Sequence, residues 1–254
     1  MSEITVRAAQ IADLPHLTQL LPAWALVAID LANSNEEQLL VAVIESQPLA
    51  CLRVQRRVGL EHPRFWFHVG CRVHAASELA MFRRERTLLL GNDLTAAAEI
   101  SDFALARHLD SEVRARLASA LVGAALRWLQ QGTRGAGDLP RVIAGLPGPR
   151  SADGSAPFWN GLGRYFYAGD VDEALARFGS LWQTHVAALL PRHPLVVSVL
   201  QEQTQAAIGE IAPSAAVWRD ALHAHGLRAG QHIGLHDGGP VYEAYLECVS
   251  GSGR

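Results

Sequence analysis

Glu99-Ile100-Ser101-Asp102-Phe103-Ala104-Leu105 leads through Ala106-Arg107-His108-Leu109-Asp110 into Ser111–Gln130, and the reading of the fold starts from this stretch. Its first seven residues alternate loosely between apolar and polar side chains, as a strand with one buried face does. Asp110 and Ser111 offer capping oxygens just ahead of Val113, Leu117, Leu121, Ala124, Ala125 and Trp128. The three- and four-residue steps between those apolar positions predict a helix over Ser111–Gln130 with one face on a sheet. A strand feeding straight into a helix aims the helix's unpaired N–H groups into the gap beyond the strand. Such a gap takes phosphate when the turn is rich in glycine. This turn holds no glycine and carries an acid at the cap.

Upstream, Ile4-Thr5-Val6-Arg7 reads as a short strand. Asp13, Leu14, Leu17, Leu20 and Leu21 form an amphipathic helix that stops near Pro22. Gln38–Ile44 and Leu49–Val54 are a hairpin turned by Glu45-Ser46-Gln47-Pro48. Arg64–Ala75 is a third β segment and Thr87–Leu90 a short strand before Gly91-Asn92-Asp93-Leu94-Thr95. Downstream come a loop over Gly132–Asp138, a buried strand over Arg141–Leu146, and a Pro- and Gly-rich connection over Pro147–Gly154 that suits a boundary or lid. Helices are expected over Ala156–Phe166, Val171–Phe178, Leu181–Leu190, Gln201–Ile208 and Ser214–His225. A hairpin of Gln231–Leu235 and Val241–Leu246, turned by His236-Asp237-Gly238-Gly239-Pro240, closes the chain, and Ser250–Arg254 should fray.

Composition narrows the function classes. The 254 residues are 49% hydrophobic with a formal charge of −3, which argues against nucleic-acid and membrane-surface partners. Every basic residue is Arg, so lysine Schiff-base chemistry is excluded. Cys51, Cys71 and Cys248 make no Cys-x-x-Cys pair, and neither a disulfide framework nor a thiolate zinc site is indicated. Met1-Ser2-Glu3-Ile4 lacks the regions of a signal peptide and no apolar run reaches membrane-span length, so a cytoplasmic protein is the expectation. His223, His225, His232 and His236 crowd one region, but no acid or Cys stands at ligand spacing and no metal site is expected.

From about Val69 to Glu243 the chain resembles the arginine N-succinyltransferase family. The stretches that carry the likeness are Val73-His74-Ala75, Asn92-Asp93-Leu94-Thr95 with Glu99, and Phe158-Trp159-Asn160-Gly161-Leu162-Gly163-Arg164-Tyr165-Phe166. Pro191-Arg192-His193-Pro194, Ala207-Ile208-Gly209 and Asp237-Gly238-Gly239-Pro240 follow in the family's order. The opening strand and helix also resemble those of the GCN5-related N-acyltransferase (GNAT) superfamily. The resemblance implies an α/β, GNAT-like acyl-CoA N-acyltransferase fold: a mixed, mostly antiparallel sheet, flanking helices and a helical insertion in the second half. It implies one domain over 1–254, with an N-terminal sheet and central helix over 1–146, a mostly helical portion over 156–228 and the closing hairpin over 229–248.

By the same resemblance, a succinyl group passes from succinyl-CoA, a co-substrate rather than a bound cofactor, to the α-amine of arginine or a similar amino acid. Phe103, Ala104 and Leu105 would lie along the pantetheine arm. Asn92, Asp93, Thr95 and Arg192 would hold the amino acid. Read from the residues themselves, Glu99 could face the amine as a base or ion-pair partner, and His193, held between two prolines, could bind substrate or serve as the acid. A homo-oligomer or a related subunit is the implied protein partner. Three departures support an alternative, a non-catalytic subunit or ligand-binding member. The turn Ala106–Asp110 has no glycine. Ala212, in Gly209-Glu210-Ile211-Ala212-Pro213, replaces the family's proton-donor His. The chain also ends soon after Asp237–Pro240, where family members continue. The acyl-transfer reading depends on a wedge between the strands that begin at Glu99 and Arg141. It fails if that wedge is zipped shut or plugged.

Overall fold

In the computed structural model the described residues are 3–21, 34–132, 141–179 and 181–249. The expected helix stop at Pro22, the loop over Gly132–Asp138 beyond its first residue, and the tail Ser250–Arg254 lie outside them.

Ten strands form one sheet in the order β1-β2-β3-β6-β7-β10-β9-β4-β5-β8. They are β1 (Thr5–Ala8), β2 (Glu37–Ile44), β3 (Gln47–Gln55), β4 (Trp66–Ala76), β5 (Met81–Gly91), β6 (Ala98–Leu105), β7 (Arg141–Gly145), β8 (Leu195–Val196), β9 (Arg228–Gly234) and β10 (Pro240–Tyr245). β6 and β7 run parallel; their neighbours pair antiparallel. The helices are α1 (Leu14–Leu20), α2 (Ser111–Gly132), α3 (Pro157–Gly161), α4 (Val171–Phe178), α5 (Leu181–Ala187), α6 (Glu202–Ala207) and α7 (Ala216–Ala224). The mixed sheet, its flanking helices and the helical insertion after β7 agree with the architecture read from the sequence.

Strand alternation sorts the layers. Leu40, Ala42, Leu52, Ala98 and Ile100 point to α2 and α7, which supply Leu117, Leu121, Ala125, Trp218 and Leu222 to the largest core. Leu39, Val41 and Cys51, one residue out of phase, point the other way onto Leu17 of α1. A second core joins Phe67, Leu88 and Ile233 of the far strands, with Leu235 just past β9, to Phe158, Trp159, Trp182 and Val186 of the insertion.

Three elements differ from their sequence expectation. β5 begins at Met81, six residues before the expected strand, because Met81–Arg86 is exposed on both faces and shows no one-sided alternation. The helix expected over Ala156–Phe166 breaks at Leu162, where the chain turns into a short 3-10 segment over Gly163–Tyr165. A Cβ at Gly163 would overlap the Trp159 indole, and one at Gly161 would overlap Thr204, so close approach rather than helix periodicity sets this stretch. Leu195–Val196 adds a two-residue edge strand too short to show a pattern.

Candidate functional site

β6 and β7 are joined at one end only. Their register covers Ala98 with Val142 and Glu99 with Ile143, and beyond that pair the strands part. The cause lies on β6. Asp102 sits at φ +52°, in the left-handed region that Asp tolerates better than most residues. There the register with β3 slips: Arg53 faces Ser101, but Cys51 faces Ala104. One extra residue on β6 is a β-bulge, which bends a strand and increases its twist. Arg53 fixes the bulge by donating from Nε to Asp102 Oδ2 at 2.6 Å while Nη1 pairs with Glu37 of β2. Burial works against the Arg53 charge, but Asp102 and Glu37 outweigh it and raise its pKa.

After the bulge, Phe103 turns toward the α2 side and Ala104 toward α1. Phe103 meets Trp218 of α7, ring centroids 4.9 Å apart. α7 follows the segment tied to the exit of β7, where Ala212 donates its N–H to Pro147 O at 2.8 Å. The wedge is therefore open between the backbones and bridged on this face by an aromatic contact. Ala212, the position expected to lack the proton donor, lies at the exit of β7 and offers only backbone. At the head of α2, the Asp110 carboxylate accepts from the Val113 N–H at 2.8 Å and so occupies the helix end with its own anion.

On the opposite face two charged groupings stand near the joined ends. Glu99, almost wholly buried, accepts both Arg64 Nη1 at 3.1 Å and Nη2 at 2.9 Å. A carboxylate held by a forked guanidinium is a structural ion pair first. The Asp93 carboxylate accepts from His232 Nε2 at 2.8 Å, and the His68 ring stands edge-on to His232 at 5.2 Å. Burial pushes the Asp93 carboxyl up, but the hydrogen bond and charge of His232 outweigh it and hold Asp93 below the usual carboxylate range. His232 is buried and its Nδ1 has no hydrogen-bond partner among the described residues, whereas the Asp93 side chain is 57% exposed. The outward-facing member of the pair is thus an anion.

Asn92 and Thr95 close the turn on themselves: Asn92 O accepts from Thr95 N at 3.0 Å and Oγ1 at 2.6 Å. That turn precedes β6, at the opposite end of the strand from Phe103 and Leu105. Arg192 and His193 are exposed on the segment entering β8, six strand positions from β6 in the sheet order. The structure brings Asp93 and Glu99 to one face of the sheet and does not bring Arg192 or His193 to the wedge. The crowded histidines take separate partners: His223 packs on Tyr242, His225 on Ser119, His232 on Asp93 and His236 on Trp182. Asp237 is buried, accepting the Gly148 N–H at 2.9 Å and the Gly239 N–H at 3.0 Å, which makes it a turn residue. The pairings of Arg53 with Asp102, Arg64 with Glu99 and His232 with Asp93 escaped the sequence reading because they join residues 35 to 139 apart. The bulge at Asp102 was not read from the sequence either; an acid inside an apolar strand is the signal that could have found it.

A mixed sheet that splits between two parallel neighbours, one bulged and feeding the central helix, is the architecture of GNAT-like N-acyltransferases. Residues 23–250 match the family model for the arginine N-succinyltransferase beta subunit, and the chain belongs to that family. It is similar to the arginine N-succinyltransferases of Salmonella arizonae and Salmonella newport, each 32% identical over 196 residues, 77% of this chain and 56% of the relative. The chain thus spans about half the length of these curated relatives. The solved arginine/ornithine succinyltransferase subunit AI from Pseudomonas aeruginosa has the same fold, with a TM-score of 0.76, 23% identity, and 99% of this chain and 79% of that chain covered.

Proposed function

We propose that this chain acts as an arginine N-succinyltransferase-type acyltransferase, passing a succinyl group from succinyl-CoA to the α-amine of arginine or a similar cationic amino acid. The observation that carries the reading is the bulged split between β6 and β7 in a chain of this family. The amine nitrogen attacks the thioester carbonyl, a C–N bond forms and the C–S bond breaks. The amine's proton leaves to solvent, and the departing thiolate takes one from solvent. Parted strands leave backbone N–H and C=O groups of β6 for the thiol arm beside Phe103, Ala104 and Leu105. Asp93, kept ionised by His232, pairs with the cationic end of the amino acid, while Asn92 and Thr95 shape its turn. Glu99, neutralised by Arg64, positions that face rather than accepting a proton, and water does the proton work in place of a histidine. The continuous sheet supports treating 1–254 as one unit.

A second reading has its own observations. The Phe103–Trp218 contact, the Asp110 anion at the head of α2 and Ala212 all oppose coenzyme binding and turnover, and they favour a non-catalytic subunit. Calorimetric titration with succinyl-CoA and then arginine, followed by a thiol-release assay, separates the two. Binding of both with thiol release is expected for the transferase; arginine binding without succinyl-CoA binding leaves a ligand-binding member, and binding of neither overturns the transferase and leaves a non-catalytic interaction subunit.

A further inference from the structure

Among the described residues, the outer half of the β4–β5 hairpin has no third strand. β9 pairs with β4 only from Trp66 to His68, and β8 meets β5 only at Thr87 and Leu88. From Cys71 to Arg86 the two strands pair with each other alone. Alternation divides this ribbon into unlike faces. Arg72, His74, Arg83 and Glu85 share one, where Glu85 takes Arg83 at 2.7 Å and His74 at 3.8 Å. Val73, Ala75, Phe82, Arg84 and Arg86 share the other, an exposed face of apolar side chains with two arginines, where the Arg84 guanidinium stands 5.7 Å from the Phe82 ring centroid. Phe82 is 67% exposed, Val73 52% and Leu79, at the tip, 73%. A two-stranded ribbon is marginal in water by itself, and an exposed apolar strand face marks a contact surface.

Charge indicates what covers it. Arg72, Arg83, Arg84 and Arg86 against Glu78 and Glu85 give the ribbon +2, and taking that from the chain's −3 leaves −5 on the remainder. The ribbon is a cationic, apolar-faced finger on an acidic body. The segment from Tyr165 to Glu173 has the complementary character. Tyr165 and Phe166 are exposed just ahead of exposed Asp170 and Glu173.

We propose that the β4–β5 ribbon docks on the Tyr165–Glu173 segment of a second copy of this chain, in a two-fold pair that exchanges ribbons. Reciprocal exchange uses the same two patches on both copies and closes the assembly at two. Opposite charges set the register, and Phe82 and Val73 supply the apolar burial.

Light scattering on the full chain, at concentrations up to about 100 µM and at low and high salt, tests this. The expected result is twice the mass of the chain, weakened about tenfold by salt. Phe82→Glu and Arg84→Glu should run as monomers with unchanged circular dichroism and thermal midpoint, and adding Glu173→Arg to Arg84→Glu should restore the dimer. A monomeric wild type, a dimer indifferent to Arg84→Glu, or assembly only with a different added chain would overturn the proposal.

Discussion

Arg53 lies partly buried between two carboxylates, Glu37 on β2 and Asp102 at the bulge of β6. Removing it leaves both carboxylates without compensation in a site only partly reached by water, so Arg53→Ala should cost about 1–3 kcal/mol in urea unfolding. A near-neutral result would mean that the bulge holds itself. Asp13 shows the same principle at the first strand. It accepts both Arg7 nitrogens, at 2.6 and 2.8 Å, together with the Gln10 N–H at 2.8 Å. The Arg7 hydrogen bond is the main cause of its depressed pKa, against burial. A carboxyl whose folded pKa is lowered stabilises the fold above its unfolded value and stops doing so as pH falls through the folded one. Asp13→Asn should therefore lose about 1–3 kcal/mol at neutral pH, with the gap to wild type closing in acid below the usual carboxylate range. Urea midpoints measured across that window check it. At this scale the sequence was least legible. Spacing shows that Asp93 and Glu99 stand close along the chain, but not that His232 and Arg64 arrive from elsewhere to fix one as an anion and neutralise the other.

Elements were far more legible where burial is one-sided. α2 was readable from Ser111 because Leu117, Leu121 and Ala125 must reach one core, and β6 and β7 were readable because both are buried strands. The β5 ribbon and the broken α3 escaped for opposite reasons, the first being exposed on both faces and the second packed too tightly for a regular helix. The head of α2 carries a prediction of its own. Asp110 satisfies the Val113 N–H but places a negative charge where a pyrophosphate would approach. Asp110→Ser keeps a capping oxygen and removes the charge. Coenzyme A affinity, read by calorimetry, should rise about three- to tenfold with the helix intact. Unchanged affinity would mean that the diphosphate end does not approach α2.

At the scale of the whole molecule, the helical insertion leaves β7 and returns toward β10 at one spot, lending the two-residue edge strand β8 to β5 on the way. Gly148 donates to Asp237, Gly209 donates to Gly238 O at 2.9 Å, and Ala212 donates to Pro147 O. A Cβ at Gly148 would overlap the Asp237 carbonyl, and one at Gly239 would overlap Leu146 O, so glycine is what lets three backbones meet there. Because doorway and exit share one threshold, residues 149–208 form a cassette that, β8 apart, can change in length without rerouting β7 and β10 on either side. Evolution can lengthen, trim or reshape that cassette, and with it the cover over β4, β5 and β9, while the parted strands that define the fold keep their course.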